Sequence, residues 1–177
     1  MKILGRLFLS LSLIVVLGCS QDSDNETTVE QQEFEVTGNW RLQSYSYFGS
    51  RTDILNDEVT QSEFVGVGWD MDMNMVLADE PNSYTYAGTY FVDHVVTTQE
   101  GNEILYYGYF DVDDVGTWIR SNNSFNLEVD GETKQGVITE LTENTLEYKI
   151  SSSSSETTYD GLVINITRTD TFNYIRQ

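Results

Sequence analysis

Apolar and polar residues alternate, one by one, along almost all of the chain beyond residue 33. Ser124-Phe125-Asn126-Leu127-Glu128-Val129 places Phe125, Leu127 and Val129 on one side and Asn126 and Glu128 on the other. Thr145-Leu146-Glu147-Tyr148-Lys149-Ile150 repeats the pattern, and so does Trp69-Asp70-Met71-Asp72-Met73-Asn74-Met75. A side-chain period of two marks a half-buried β-strand, whereas a helix needs apolar residues three and four apart. No such helical stripe follows residue 20.

Turn-forming residues cut these runs at regular intervals. They are Glu80-Pro81-Asn82-Ser83, Glu100-Gly101-Asn102, Ser121-Asn122-Asn123, Asp130-Gly131 and Thr142-Glu143-Asn144. Asn, Asp and Gly accept the positive φ of tight hairpins. The spacing predicts strands near 39–47, 62–78, 83–98, 103–112, 116–121, 124–130, 133–141, 144–151 and 157–175. Links this short exclude parallel crossovers, which need a dozen residues or more. The expected fold is therefore all-β, an antiparallel up-and-down barrel of eight or nine strands, with a two-sheet sandwich as the alternative. Long strands favour closure, because closure removes exposed edges. Gly88 and Gly108 fall on the more apolar parity of their strands, where a small barrel must bend sharply. A membrane-spanning barrel is excluded, since Asn126, Glu128, Asp130, Glu147 and Lys149 would face lipid.

The first residues carry a different signal. Lys2 and Arg6 precede the apolar run Leu7–Leu17, and Gly18-Cys19 follows. A basic start, a short apolar stretch and a small residue at a cut site make a secretory signal. The run is too short for a comfortable span, which needs about 20 residues. Val16-Leu17-Gly18-Cys19 resembles the lipobox of bacterial lipoproteins. That resemblance implies a lipid on Cys19, cleavage after Gly18 and attachment to a bilayer through the acylated cysteine. Two or more acyl chains hold a protein stably where one does so marginally. Cys19 is the sole cysteine, so an intramolecular disulfide is impossible.

Three segments follow from this reading: a signal peptide (1–18), a lipidated Cys19 with an acidic tether (19–33), and one β-domain (34–177). The tether carries Asp22, Asp24, Glu26 and Glu33 and no aromatic residue, too little apolar area to offset ordering entropy. Acidic residues just after the cysteine resemble the export signal of surface lipoproteins in the Bacteroidetes. The expected location is the outer membrane, either surface-exposed or facing the periplasm. Removing Lys2 and Arg6 leaves seven basic residues against 29 acidic, a net charge of about −22. Such a surface repels nucleic acid and anionic head groups and keeps the chain soluble, so a monomer is expected.

Gly38-Asn39-Trp40 opens the first strand and resembles the Gly-x-Trp start of the lipocalins, which in bacterial lipocalin-like lipoproteins follows a signal and tether. Gly116-Thr117-Trp118 with Ser124–Leu127 resembles a mid-barrel strand pair of that family, and Ile138–Leu146 its hairpin before the closing strand. The resemblance implies that Trp40 plugs the closed end of a barrel under a basic residue from the last strand, either Arg168 or Arg176. The C-terminal helix of larger lipocalins has no counterpart before Gln177, so their transport role is not implied.

Catalytic chemistry finds little support. Cys19 is committed to lipid, and His94, the only histidine, lies in an alternating run and reads as solvated or hydrogen-bonded. No catalytic residue, metal site or cofactor is expected. Asp70-Met71-Asp72-Met73-Asn74 lacks the glycine and terminal glutamate of a calcium loop. Asp111-Val112-Asp113-Asp114 reads as a solvated turn, and Ser151–Ser155 with Thr157 and Thr158 as a low-complexity hairpin or rim loop. Trp69, Met71, Met73 and Met75 share a parity, and Tyr84, Tyr86, Tyr90, Tyr106 and Phe110 lie on neighbouring strands. Adaptable methionines and amphipathic tyrosines suit a small apolar or amphipathic ligand in a barrel mouth. The candidate ligand residues are accordingly Trp69, Met71, Met73, Met75, Tyr84, Tyr86 and Tyr106. Two other readings stay open. One is an envelope interaction or adhesion module with a filled barrel and an outer patch from Tyr45, Tyr47, Tyr107 and Tyr109. The other is a carboxylate-based hydrolase.

Overall fold

The computed structural model describes residues 34–177. The expected signal peptide, Cys19 and the expected tether lie outside the described residues. Eight strands follow one another: β1 (Gly38–Leu55), β2 (Glu58–Ala78), β3 (Ser83–Thr98), β4 (Glu103–Ser121), β5 (Ser124–Val129), β6 (Glu132–Leu141), β7 (Thr145–Thr157) and β8 (Val163–Arg176). Each pairs antiparallel with its neighbour in sequence, and β8 returns to β1, closing an up-and-down barrel. The sandwich alternative is thereby set aside.

Three boundaries differ from the sequence reading. The break expected near Val112–Gly116 is absent: Asp111–Asp114 continue β4, with Val112 opposite Gly88 and Asp114 opposite Tyr86. Ser151–Ser155 are not a loop but part of β7, paired with Thr169–Asn165 of β8. Between β1 and β2, Asn56 and Asp57 make a two-residue turn with φ of 51° and 69°. That chemistry suits a primed hairpin turn and carries both strands further than the alternation suggested.

Bulges decide which residues face inward. One near Gln43 shifts β1 by a residue, so Trp40 and Leu42 and then Tyr45 and Tyr47 are all buried. A second, between Trp69 and Asp72, carries Asp70 at φ 47°. Above it the even residues of β2 face inward, with Gly66 buried; below it the odd residues do, with Met73, Met75 and Leu77 buried. An extra residue in one strand reverses the pleat beyond it.

The barrel is closed unequally. Its lower end holds the packed core: Trp40, Leu42, Met73, Phe125, Leu146 and Tyr174 are at most 2% exposed. The N-terminal segment crosses this end, with Trp40 Nε1 donating to the Val36 carbonyl at 2.7 Å. Arg120 Nη1 donates to the Phe34 carbonyl at 2.9 Å. Above, β5 and β6 are too short to continue the wall. β4 pairs with β5 only over Gly116–Ser121, and β7 pairs with β6 only over Leu146–Ile150. Among the described residues, Glu103–Val115 therefore pair with β3 alone and Ser151–Thr157 with β8 alone. The upper half is a six-stranded curled wall, β4-β3-β2-β1-β8-β7, open along one side.

Candidate functional site

The concave face of this open half gathers aromatic rings around one ion pair. Gly66 and Gly68 on β2 make the arrangement possible. A Cβ on Gly66 would lie 2.1 Å from the Tyr47 ring, and one on Gly68 would lie 3.2 Å from Tyr45 Cβ. The two rings of β1 thus lie across β2 instead of standing off from it. From there a run of rings crosses the interior. Tyr148 stacks on Phe172 at 5.0 Å, Phe172 on Tyr45 at 4.9 Å, Tyr45 meets Tyr90 edge-on at 5.4 Å, and Tyr90 stacks on Phe110 at 5.0 Å. Offset and edge-on pairs of this kind add about 0.5–1.5 kcal/mol each beyond burial.

The polar centre is built on β8 and β1. Arg168 Nη2 lies 2.7 Å from Asp170 Oδ1. Tyr45 Oη donates to the same carboxylate oxygen at 2.7 Å and accepts from Arg168 Nη2. The guanidinium covers the Tyr47 ring at 3.8 Å, and Tyr47 Oη is hydrogen-bonded to His94 Nδ1 at 2.6 Å. His94, read from sequence as solvated or hydrogen-bonded, is in the second state. Burial and the nearby Arg168 hold its pKa below the ordinary imidazole value. Burial pushes the Tyr45 phenol up, and the bond to Asp170 pushes it further. Burial opposes the charge on Arg168, but its bond to Asp170, together with the charge of Asp170 and the phenols of Tyr45 and Tyr47, outweighs it and holds its pKa above the usual value. At neutral pH the Arg168 guanidinium is therefore charged, and the imidazole and phenols of this centre are neutral.

Below it lies a small cavity of about 70 Å³, lined by residues including Met75, Tyr84, Tyr86, Asp114, Lys134 and Tyr148. The hydroxyl of Tyr86, which lines it, and that of neighbouring Tyr174 are buried without a well-aligned hydrogen-bond partner. At the upper rim the rings of Tyr106 and Phe110 stay 52% and 42% exposed although their positions face inward. The surface offers apolar stacking beside groups that donate and accept hydrogen bonds, as amphipathic ligands require.

The sequence candidates are divided by this geometry. Tyr84 and Tyr86 line the cavity, Tyr106 stands at the rim, and Met71 packs against the core. Met73 is inside and fills the core, while Met75, equally buried, also borders the cavity. Trp69 is not with them: the bulge after it leaves it on the outer wall, stacked on Phe91 at 4.7 Å and bonded through Nε1 to Asp93. Tyr45 and Tyr47, expected outside, are inside, while Tyr107 and Tyr109 are exposed on the outer wall. Phe64, whose ring meets Tyr47 at 6.1 Å and His94 at 5.6 Å, and Asp170 carry no signal of their own in the sequence; the alternate glycines Gly66 and Gly68 are the available sign of rings crossing β2. Arg176, not Arg168, covers Trp40, its Cζ 4.2 Å from the ring centroid. No protein-family model, curated protein or solved structure matches this chain. Among the described residues no group of three or more His, Cys, Asp or Glu side chains is placed to hold a metal ion.

Proposed function

We propose that this chain is a lipid-anchored, extracytoplasmic binding module, lipocalin-like in type, whose open half receives a small amphipathic ligand. The observation that carries the reading is the exposed inner face itself. Aromatic rings at Tyr106 and Phe110 stay in solvent within reach of the deeper ring run, beside the Arg168–Asp170 pair. Soluble proteins leave such concave apolar surface uncovered chiefly where something binds. The signal, the lipobox-like Val16–Cys19 and the acidic tether support an anchored product at the outer membrane. Gly38, Trp40 and Arg176 at the closed end support the lipocalin likeness. Because Phe34–Thr37 cross the closed end, the cleft opens at the barrel end opposite the point where a tether joins.

Native mass spectrometry of the protein taken from its own membranes tests this. An adduct of one amphipathic molecule per chain, lost in Phe110→Ala, is the expected result. An unliganded chain that also fails to take up extracted envelope lipids overturns it. Palmitate labelling that persists in Cys19→Ser overturns the anchor. A second reading, an envelope interaction module, is favoured by the outer ladder of Trp69, Phe91 and Tyr109. It predicts that an outer-face change such as Tyr109→Ala, not Phe110→Ala, abolishes function.

A further inference from the structure

The unpaired edge of β4 differs from the way β-proteins ordinarily finish a sheet. Thirteen residues, Glu103–Val115, pair with β3 in unbroken register and with nothing on their other side among the described residues. Every second backbone N–H and C=O of that stretch points away from β3. Natural edges are blunted by charged side chains, inward-pointing charges, proline or a bulge, so that they do not template another strand. Asp111, Asp113 and Asp114 supply such charges at one end, but residues 104–110 contain no charged residue and no proline, and their pairing has no register shift. The two strand positions that β5 and β6 fill below are unfilled beside this edge.

We propose that the free edge of β4 takes up an extended strand of a partner polypeptide whose residues alternate between apolar and cationic. Alternation follows from the pleat, because residues opposite one another in a ladder share a face. Inward positions of the added strand meet Tyr106 and Phe110, so they are apolar. Outward positions meet Tyr107, Tyr109, Asp111 and Asp113, where a guanidinium finds both ring faces and carboxylates.

Charge decides between possible occupants. From Ser83 to Val115 the chain has six carboxylates and no lysine or arginine. The chain's own residues 20–33 carry Asp22, Asp24, Glu26, Glu30 and Glu33 and are repelled. A second copy brings a formal charge of −20 against this one. In an antiparallel pair of β4 edges centred on Gly108, Glu103 would stand opposite Asp113, and like charges directly opposed destabilise a ladder. A cationic partner is left.

The probe is an acetylated, amidated octapeptide of alternating valine and arginine, added to the full chain at low ionic strength. Backbone hydrogen exchange reads the contact. Exchange of amides within Leu105–Asp113 is expected to slow about tenfold or more, since unpaired edge amides become bonded. N-methylation of the peptide at odd or at even positions is expected to abolish binding in one case only, because one set of N–H groups faces β4. The double change Asp111→Asn, Asp113→Asn weakens binding several-fold and leaves the cleft ligand of the preceding section unaffected. Equal binding by a peptide with four valines followed by four arginines, without β4 protection, would reduce the effect to bulk charge and overturn the proposal. So would equal binding by both methylated peptides, or no binding at all. The strand and the cleft ligand share Tyr106 and Phe110, so the peptide is tested without cleft ligand present, and the ligand itself is read separately by native mass spectrometry.

Discussion

The Arg176 guanidinium carbon lies 4.2 Å from the centroid of the Trp40 ring, and the same group donates to three carbonyls: Glu143 at 2.7 Å, Thr37 at 2.6 Å and Glu35 at 2.7 Å. One side chain thereby joins the last strand, the β6–β7 turn and the segment that crosses the closed end. Arg176→Ala removes the charge-assisted bonds and the ring contact together. The expected cost is about 2–3 kcal/mol, read as a lower urea midpoint at unchanged slope. Arg176→Lys recovers less than half, because an ammonium lacks the planar fork that reaches several acceptors. A loss below about 0.5 kcal/mol in the alanine variant would show that the closed end holds without this clasp.

Gly88 and Gly108 both face inward, yet they are expected to answer substitution differently. At Gly88 φ is +132°, and a Cβ would stand 1.9 Å from the Asp72 carbonyl oxygen, a backbone atom beside the β2 bulge. Gly88→Ala therefore strains β3 and pushes on β2 at once, costing about 3 kcal/mol or more. At Gly108 the nearest obstacle is the Phe110 ring at 2.8 Å, which can swing into the open cleft. Gly108→Ala is expected to cost under about 1 kcal/mol while altering ligand uptake. Thermal unfolding of the two variants separates these cases, and equal losses would refute the distinction.

Alkaline pH should unfold the barrel through its interior phenols. Burial raises Tyr45, Tyr86, Tyr148 and Tyr174 above the ordinary phenol value of 10.0, and Tyr84 is pushed up to about 12. The folded state keeps these protons while the unfolded state releases them, so stability is intact below pH 10.0 and falls as pH rises above it. The urea midpoint should be flat up to that point and then decline. Phenolate absorbance of the buried set should appear only with unfolding. Absorbance rising fully before unfolding would contradict the burial.

His94 gives a smaller step on the acid side. Its pKa is depressed in the fold by burial and by Arg168, from an ordinary value of 6.5. The unfolded state therefore takes up the proton first. The contribution of neutral His94 is complete above 6.5 and is lost as pH falls from there through the lowered folded value. The His94→Gln variant is the reference. It should lack the loss that sets in below pH 6.5, and identical midpoint curves for variant and parent would sink the assignment.

The strand pattern, its antiparallel order and the closing of the wall were legible because alternation over Ser124–Val129 or Thr145–Ile150 reports burial directly. Facing was not legible across a bulge. Trp69 reads as one face with Met71, Met73 and Met75, yet a single left-handed residue, Asp70, puts it outside. The bulge near Gln43 does the reverse for Tyr45 and Tyr47, and with them went the ring run of the site. No local residue type announces either bulge, since Asp and Gln are ordinary on an outer strand face. The open side escaped for another reason. Five consecutive serines carry no burial pattern, so the sequence places the end of β7 where its partner β6 ends and gives no sign of the stretch beyond.

The cavity beneath the ion pair supplies a test of how the floor of the site is satisfied. Tyr174 is 0% exposed, and its hydroxyl lies near those of Tyr86 and Tyr148 without forming a well-aligned hydrogen bond, so the Tyr174 and Tyr86 hydroxyls are at best weakly satisfied. A buried hydroxyl without a partner costs about 1–3 kcal/mol, whereas the phenyl ring alone costs nothing in lost hydration. Their ring centroids are 6.5 Å apart, so the two groups belong to one pocket of polarity. Tyr174→Phe keeps the stacking on Tyr148 at 5.8 Å and removes only the oxygen. Stability is expected to rise by about 1 kcal/mol, and the double change with Tyr86→Phe by no more than the sum. A fall instead would mean that water or a bound polar group bonds these hydroxyls in solution. A space of about 70 Å³ has room for such a guest, since a water needs roughly 10–15 Å³ of comparable volume. Saturating the cleft with an amphipathic ligand then decides the matter, because a ligand that reaches the floor should stabilise the parent and not the double variant.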